Sequence, residues 1–453
     1  MKHWLKDQHF RSLLKNSGYL TASKIVSAIA GIATLAMTGR SQGVMLFGTL
    51  VLITSYAKAV SGLSKFESWQ LIVRFGGQAL SEGRPEEFKA STGFAFMLDV
   101  VSGTGGMIVA IALLPLIGGW FGIGRDMLWL AMLYCTLLPT MSAATPTGVL
   151  RSLDRFDLIS WQGTITPITR MLMVSAAFAM DAPFPVYVAI WYLSDLIGDV
   201  FFWFAAWREL RRRGLLPGIR PTLRPANLPG AWRFAIHVNL TASILAAWGP
   251  VARLIVGGLL GPVGAALFRV GSSLADSAQR PADQLAKAFY PELMRMDVRS
   301  KRPWKFMLRS SAFAGGVALI AILILLFGGQ SLVQLLFGKE FLGAYPVLMV
   351  LLLVPLMGIF SFPLAPMLYA LDRPDAPLKA RLIGTMTYFV IVAPACWRFG
   401  VIGAAIAFVL GYAATLAALG TQLWAEYRRV RRPARGSPPA EPATLEATAP
   451  PLD

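Results

Sequence analysis

Apolar runs close to twenty residues long follow one another along the whole chain, and that spacing leaves few folds open. A helix rises about 1.5 Å per residue, so about 20 residues cross the roughly 30 Å hydrocarbon core of a bilayer. Runs of this length fall near residues 17–38, 43–64, 92–117, 127–149, 158–180, 184–207, 233–257, 263–288, 307–328, 343–369, 379–397 and 401–425. They predict an all-α integral membrane protein of about twelve transmembrane helices. Composition agrees, with 55% hydrophobic and only 15% charged residues, where an ordinary soluble chain carries about 25% charged residues. Pro139, Pro146, Pro167, Pro250, Pro281, Pro363 and Pro366 fall inside the runs and predict kinks that a helix bundle tolerates.

A formal net charge of +18 from 42 Lys and Arg raises the question of nucleic acid, and the placement of the bases answers it. In one set of alternate connections lie 31 of them, the other set holds only Arg40, Arg125, Lys339 and Arg398, and seven lie inside spans. Basic residues stay on the cytoplasmic side of inner-membrane helices. The split therefore predicts an even number of helices with both termini cytoplasmic, and makes the basic loops topology determinants rather than a nucleic-acid surface. The N-terminus has no short apolar core with a small-residue cleavage site, so residues 1–16 are expected to remain as a basic segment with Trp4 and Phe10 at headgroup level.

The longest basic connection falls near the midpoint and contains Arg211, Arg212 and Arg213 with the proline-spaced Arg220 and Arg224. It divides the chain into an N-lobe at 17–207, a basic cytoplasmic linker at 208–232 and a C-lobe at 233–425. A Pro/Ala/Glu-rich tail at 426–453, expected to be disordered and cytoplasmic, ends it. The lobes echo each other: Leu20-Thr21-Ala22-Ser23 returns as Leu240-Thr241-Ala242-Ser243, and Gly43, Leu46 and Phe47 return as Gly264, Leu267 and Phe268. Six helices per lobe insert the same way up, related by an axis along the membrane normal.

Enzymatic and metal constellations are missing from the pattern. Cys135 and Cys396 lie in separate apolar runs, His3, His9 and His237 have no obvious partners, and there is no phosphate-binding glycine loop, zincin motif or nucleophile elbow. No catalytic residue, cofactor or metal is expected. The outer connections are short, the longest being around 329–342, so a membrane glycosyltransferase or polymerase has nowhere to place its chemistry.

The ionisable residues at membrane depth carry the functional signal. Lys24, Lys58, Asp99, Arg170, Asp195, Asp199, Arg253, Arg269, Asp276, Arg280, Asp283 and Lys287 all fall inside apolar runs, and each would cost about 2.5–3.5 kcal/mol if it faced lipid at mid-bilayer. In the eighth run Arg269, Asp276, Arg280, Asp283 and Lys287 step by 7, 4, 3 and 4 residues, one helical stripe beside Ser273 and Ser277. Asp195 and Asp199 share a face of the sixth run, and Arg170 stands mid-span in the fifth. Either these charges pair between helices, or they line a hydrated cavity. In the second case Arg170, Arg253, Arg269 and Arg280 with Lys24 and Lys58 suit an anionic headgroup, because guanidinium forks match phosphate oxygens. Asp195, Asp199, Asp276 and Asp283 then balance charge or couple a cation.

Three segments resemble a known family. After the second run comes Lys65-Phe66-Glu67-Ser68-Trp69-Gln70-Leu71-Ile72-Val73-Arg74-Phe75-Gly76; the second half opens with Gly257-Gly258-Leu259-Leu260-Gly261 through Phe268-Arg269-Val270; and Leu336-Phe337-Gly338-Lys339-Glu340-Phe341 leads to Leu368-Tyr369-Ala370-Leu371-Asp372-Arg373. In order and spacing these are similar to the Wzx-type oligosaccharide flippases of the multidrug/oligosaccharidyl-lipid/polysaccharide exporter superfamily, over residues from about 14 to 425. The resemblance implies two six-helix lobes around a central cavity that opens alternately to each side. It implies as cargo an undecaprenyl-diphosphate-linked sugar or oligosaccharide for O-antigen, capsule or exopolysaccharide, handed on to other polysaccharide assembly proteins. It fixes no residue-level site; Trp69, Gln70 and Arg74 also read as a headgroup anchor. A drug or organic-cation exporter of the same superfamily is the rival reading, favoured by an acidic, aromatic cavity and disfavoured by the arginine excess.

Overall fold

The computed structural model describes residues 8–141, 143–224, 228–294, 302–371, 373 and 375–431, and among these there are helices and no strands. Side chains of residues 8–25, 240–247 and 279–294, and most of those at 302–321, also lie outside the description. The expected all-α architecture is what is found.

Helix lengths show how the chain folds back on itself. By length and composition five helical stretches, or six with the bent pair Arg125–Cys135 and Leu138–Ser152, are apolar enough to cross a membrane among the described residues, and two of them run to 56 and 54 residues. A straight helix of that size would reach about 80 Å, more than two hydrocarbon cores. Each contains a break at a glycine in a backbone conformation no helix contains: Gln8–Ser64 at Gly43 (φ 70°, ψ 172°) and Asp375–Arg431 at Gly400 (φ 57°, ψ −138°). Ala252–Met294 breaks in the same way at Gly261 (φ 71°, ψ −176°). Positive φ is the region where a Cβ is strained, which is why glycine stands at these turns.

Divided there, the described stretches form twelve rods: α1 (8–42), α2 (44–64), α3 (Pro85–Ile117), α4 (128–152, interrupted), α5 (Phe156–Ala179), α6 (Phe184–Arg212), α7 (231–260), α8 (262–294), α9 (Arg302–Phe337), α10 (344–370, interrupted), α11 (375–399) and α12 (401–431). The interruptions in α4 and α10 fall beside Pro139 and Pro363, and Pro250 sits in a π-helical turn, Ala247–Val251, inside α7. Pro167, by contrast, lies inside an unbroken α5. Helix α9 also runs past the expected 328 to Phe337, because Val333 and Phe337, four apart, both find buried places. The expected outer loop therefore shrinks to a single 3-10 turn, Lys339–Phe341. Residues 1–7 and the tail from 432 lie outside the described residues.

The end of the bundle that carries Gly43, Gly261 and Gly400 is termed the turn end; the opposite end carries the basic connections. At the turn end the first and second halves of the chain are in close contact. A Cβ on Gly48 of α2 would strike the Pro262 carbonyl of α8, and Gly257 of α7 lies against Leu52 and the Phe121 carbonyl. The motif around Phe337 and Phe341 closes the same end: the Phe341 ring packs edge-on to Phe47 at 5.6 Å and against Phe337 at 5.7 Å. The Glu340 carboxylate accepts from the Val44 amide at 3.2 Å, the first N–H of α2 and so the positive end of that helix.

At the basic end a short arm, residues 68–81, lies between α2 and α3. Asp99 of α3, 1% exposed, holds it by accepting from Ser68 Oγ at 2.7 Å and from the Thr145 amide of α4 at 2.8 Å. The midpoint linker is packed rather than loose: the Arg220 carbonyl fills the space beside Gly93, and Trp232 Nε1 donates to the Leu223 carbonyl at 2.9 Å.

Candidate functional site

Counting along the rods places the buried charges in one layer. From the turn end, Arg253 and Arg269 are each eight residues from Gly261, Ser55 and Lys58 are twelve and fifteen from Gly43, and Asp195 is eleven from the start of α6. At 1.5 Å per residue these depths are about 12–22 Å, the middle of a roughly 30 Å slab.

On the N-terminal side the layer is closed on itself. Arg170 of α5 forms an ion pair with Asp195 of α6, donates through Nε to Ser194 Oγ at 2.8 Å, and lies over the Trp191 ring at 4.3 Å. The buried Tyr134 of α4 donates its hydroxyl to the second oxygen of Asp195. Asp195 is thus satisfied by a guanidinium and a phenol, as a carboxylate at this depth requires. Tyr134 gave no signal in the sequence, since a tyrosine in an apolar run reads as core.

Lys58 and Arg253 stand differently. Lys58 of α2 is within electrostatic reach of Asp195, Arg170, Arg269 and Arg253, yet no carboxylate comes within 4 Å of it among the described residues. With Ser61, Gly62, Lys65, Met141, Asp195 and Asp199 it lines a cavity of about 300 Å³. Arg253 of α7 donates through Nε to Ser55 Oγ of α2 at 3.0 Å, a bond that crosses from the second half of the chain to the first. It too has no carboxylate within 4 Å among the described residues, and the charges that act on it are those of Arg269 and Asp276. A second cavity of about 70 Å³ holds Arg253, Ser272 and Asp276 against Trp248, Phe268 and Phe408.

Of the residues expected to bind an anion, Arg170, Lys58, Arg253 and Arg269 are brought together across α2, α5, α7 and α8. Of the acids, Asp195 and Asp199 line the larger cavity and Asp276 the smaller. The side chains of Lys24, Arg280, Asp283 and Lys287 lie outside the described residues. The backbone of α8 stays helical to Met294, so the register that puts Arg280, Asp283 and Lys287 on the stripe of Arg269 and Asp276 is kept. Trp69 and Arg74 are away from this layer, in the arm: Arg151 lies over the Trp69 ring at 4.1 Å and Arg74 over Phe234 at 4.7 Å.

No protein-family model matches the sequence. Inner membrane protein YghQ of Escherichia coli (strain K12) is 40% identical over 350 residues, which are 77% of this chain and 99% of that protein. The inward-facing conformation of a multidrug resistance MATE family transporter of the MOP superfamily superposes with a TM-score of 0.71 at 13% identity, covering 89% of this chain and 94% of that one. The lipid II flippase MurJ in an inward closed conformation follows at 0.67 and 13%, over 91% and 89% of the two chains. An outward-facing MATE family transporter reaches 0.61 at 14% identity, over 93% and 96%. At such identities the solved structures establish a shared fold.

Proposed function

The chain belongs to the family of the inner membrane protein YghQ, and from that membership and its exporter and flippase fold we propose that it is a multi-pass inner-membrane flippase. Its cargo is an undecaprenyl-diphosphate-linked sugar or oligosaccharide, carried from the cytoplasmic to the periplasmic leaflet by alternating access for polysaccharide biosynthesis. One observation carries the reading: Lys58 and Arg253, on rods from opposite halves of the chain, face the same mid-membrane layer with no carboxylate within 4 Å among the described residues.

A diphosphate supplies what that layer lacks. Its oxygens accept charge-assisted bonds from an ammonium and a guanidinium, while a polyprenyl tail remains in lipid between the lobes. Because Lys58 and Arg253 belong to different halves, an anion held by both favours whichever arrangement brings the halves to it, and a ligand shifts an equilibrium only through such differential contacts. Arg269 adds positive potential beside Arg253, Arg170 reaches the cargo only by leaving Asp195, and Asp199 and Asp276 balance the empty cavity. The closed turn end, and the higher TM-score with the inward-facing than with the outward-facing transporter, support a form open toward the basic, cytoplasmic end.

A second reading, export of organic cations, is favoured by Asp195 and Asp199 in the larger cavity and by the aromatic wall of Trp248, Phe268 and Phe408. Vesicles holding the purified protein decide between them. A fluorophore-tagged polyprenyl-diphosphate glycan becomes accessible to an outside quencher with wild type and stays protected with Arg253→Ala and Lys58→Ala. Movement of a cationic dye with no movement of the glycan overturns the proposal in favour of the exporter.

A further inference from the structure

A second basic site lies on the other side of α6, away from the central cavity. Arg155, at the N-terminal cap of α5, and Leu158 of α5 with Phe201, Phe204, Ala205, Arg208, Glu209 and Arg212 of α6 line a groove of about 260 Å³. Helical phase fixes its direction. Phe204 is nine residues from Asp195 and Arg208 nine from Asp199; nine residues are two and a half turns, so both face opposite to the acids of the transport cavity. Phe204 is 54% exposed and Trp207 42%, as side chains turned to lipid are.

The groove has an apolar floor and a cationic rim. Glu209, its one acid, is 7% exposed and already accepts from Arg155 Nη1 at 2.6 Å and Arg213 Nε at 3.1 Å, with Arg212 at 4.0 Å. Arg155 also forms a two-bond pair with Asp157 at 2.8 and 2.9 Å. Four guanidiniums, Arg155, Arg208, Arg212 and Arg213, therefore share two carboxylates, and Arg208 has none within 4 Å among the described residues. Below this rim Phe201, Phe204 and Leu158 form the wall. The Arg211 guanidinium lies over Trp207 at 5.5 Å, an aromatic and a base side by side at the depth where membrane meets water.

We propose that this groove binds the phosphodiester headgroup of an anionic phospholipid, with the phosphate on Arg208 and Arg212 and the first acyl methylenes against Phe201 and Phe204. Charge chooses the lipid. Arg208, with no carboxylate within 4 Å among the described residues, and Arg212, which only reaches the already shared Glu209 at 4.0 Å, attract a phosphate and repel the ammonium of a zwitterionic headgroup. Arg155 is excluded from the binding pair because it holds the buried Glu209. The site is independent of the cargo, since it faces away from the cavity.

The test is lipid retention by the full-length protein in mixed detergent micelles containing equal phosphatidylglycerol and phosphatidylcholine, read by native mass spectrometry. Wild type retains phosphatidylglycerol over phosphatidylcholine by at least fivefold. The double substitution Arg208→Ala with Arg212→Ala lowers that ratio to near one. Arg220→Ala with Arg224→Ala, which removes equal charge from exposed linker positions, changes it less than twofold. Should the double variant fail to insert, Arg208→Gln alone, at an exposed position, is expected to lower the ratio at least threefold. Three results overturn the proposal: a wild-type ratio near one, unchanged retention in the groove variants, or equal losses in groove and linker variants. Displacement of the lipid by free glycerol phosphate at matched concentration does so as well, because the site would then take a soluble anion.

Discussion

On the N-terminal side of the charged layer, Arg170 and Asp195 neutralise each other and are held by Ser194, Trp191 and Tyr134. Across the seam, Arg253 donates to the neutral hydroxyl of Ser55 and has no carboxylate within 4 Å among the described residues, with Arg269 adding to its charge and Asp276 acting on it only from further off. The two arginines are the same residue type at similar depth, and their surroundings give them opposite roles. A guanidinium matched to a carboxylate ties two rods of one half together. One that meets only a hydroxyl from the other half leaves its charge for a ligand.

Removing a partner from the matched pair should have the largest effect. Arg170→Ala leaves Asp195 charged at mid-membrane, and breaking a buried pair in this way costs about 3–5 kcal/mol. Unfolding of the purified protein in detergent is expected to shift by that amount. The paired replacement Arg170→Met with Asp195→Leu should recover most of it, since an apolar pair of similar volume avoids the desolvation cost. A single Ala variant as stable as wild type would show that the pair holds nothing and would erase the distinction from Arg253.

The unmatched arginine predicts the reverse pattern. Arg253→Ala loses one neutral hydrogen bond, about 0.5–1.5 kcal/mol of stability. It loses the cargo contact too, and a bond to a charged group is worth about 1.5–3 kcal/mol, roughly ten- to hundredfold in affinity. Binding of a polyprenyl-diphosphate analogue, measured beside unfolding, separates the two. If Arg253→Ala destabilises as much as Arg170→Ala while binding is kept, both arginines are structural.

Hydropathy and charge were enough to read the rods, their number and the layer of buried charge, because each apolar run and each misplaced charge carries a cost that shows in the sequence. Which charges meet was not readable. Arg170 and Asp195 are 25 positions apart, and the sequence alone leaves open whether they pair with each other or serve cargo and coupling. Ser55, Tyr134 and Ser194 were overlooked for a different reason: a neutral hydroxyl inside an apolar run costs little, so nothing marks it until its partner is in place. The echo between halves was legible, but not its register. Gly43 was matched to Gly264, whereas the glycine that turns the second half with nearly the same φ and ψ is Gly261. One turn of helix separates the two alignments. Arg280, Asp283 and Lys287 keep their place on the stripe of α8, and their side chains are beyond what the structure describes.

The seam itself offers a smaller lever on the same contrast. Gly48 has no room for a side chain against the Pro262 carbonyl, and overpacking typically costs about 1–3 kcal/mol. Gly48→Ala charges that cost to the form with a closed turn end and to no form in which α2 and α8 separate there. A cysteine introduced at Phe47, whose ring is buried under Phe341, should react faster with an impermeant thiol reagent in the Gly48→Ala background. Unchanged labelling would mean that the halves do not part along this line, and that Lys58 and Arg253 stay together throughout.

The weakest effect is expected at Glu340. Its carboxylate accepts from the Val44 amide at 3.2 Å and so places a negative charge at the first turn of α2. A charge at an exposed helix N-terminus is worth about 0.3–1 kcal/mol and is screened by salt. Glu340→Gln can keep the hydrogen bond while losing the charge, so the cysteine at Phe47 should label up to about fivefold faster at low salt and like wild type at high salt. That salt dependence separates the latch from packing, since the Gly48→Ala effect is steric and should not change with ionic strength. A Glu340→Gln effect that persists at high salt would assign the closure to the Phe47–Phe341–Phe337 contact alone. The charged layer beneath, where Arg253 meets Ser55, would then carry the electrostatic tie between the halves at mid-membrane.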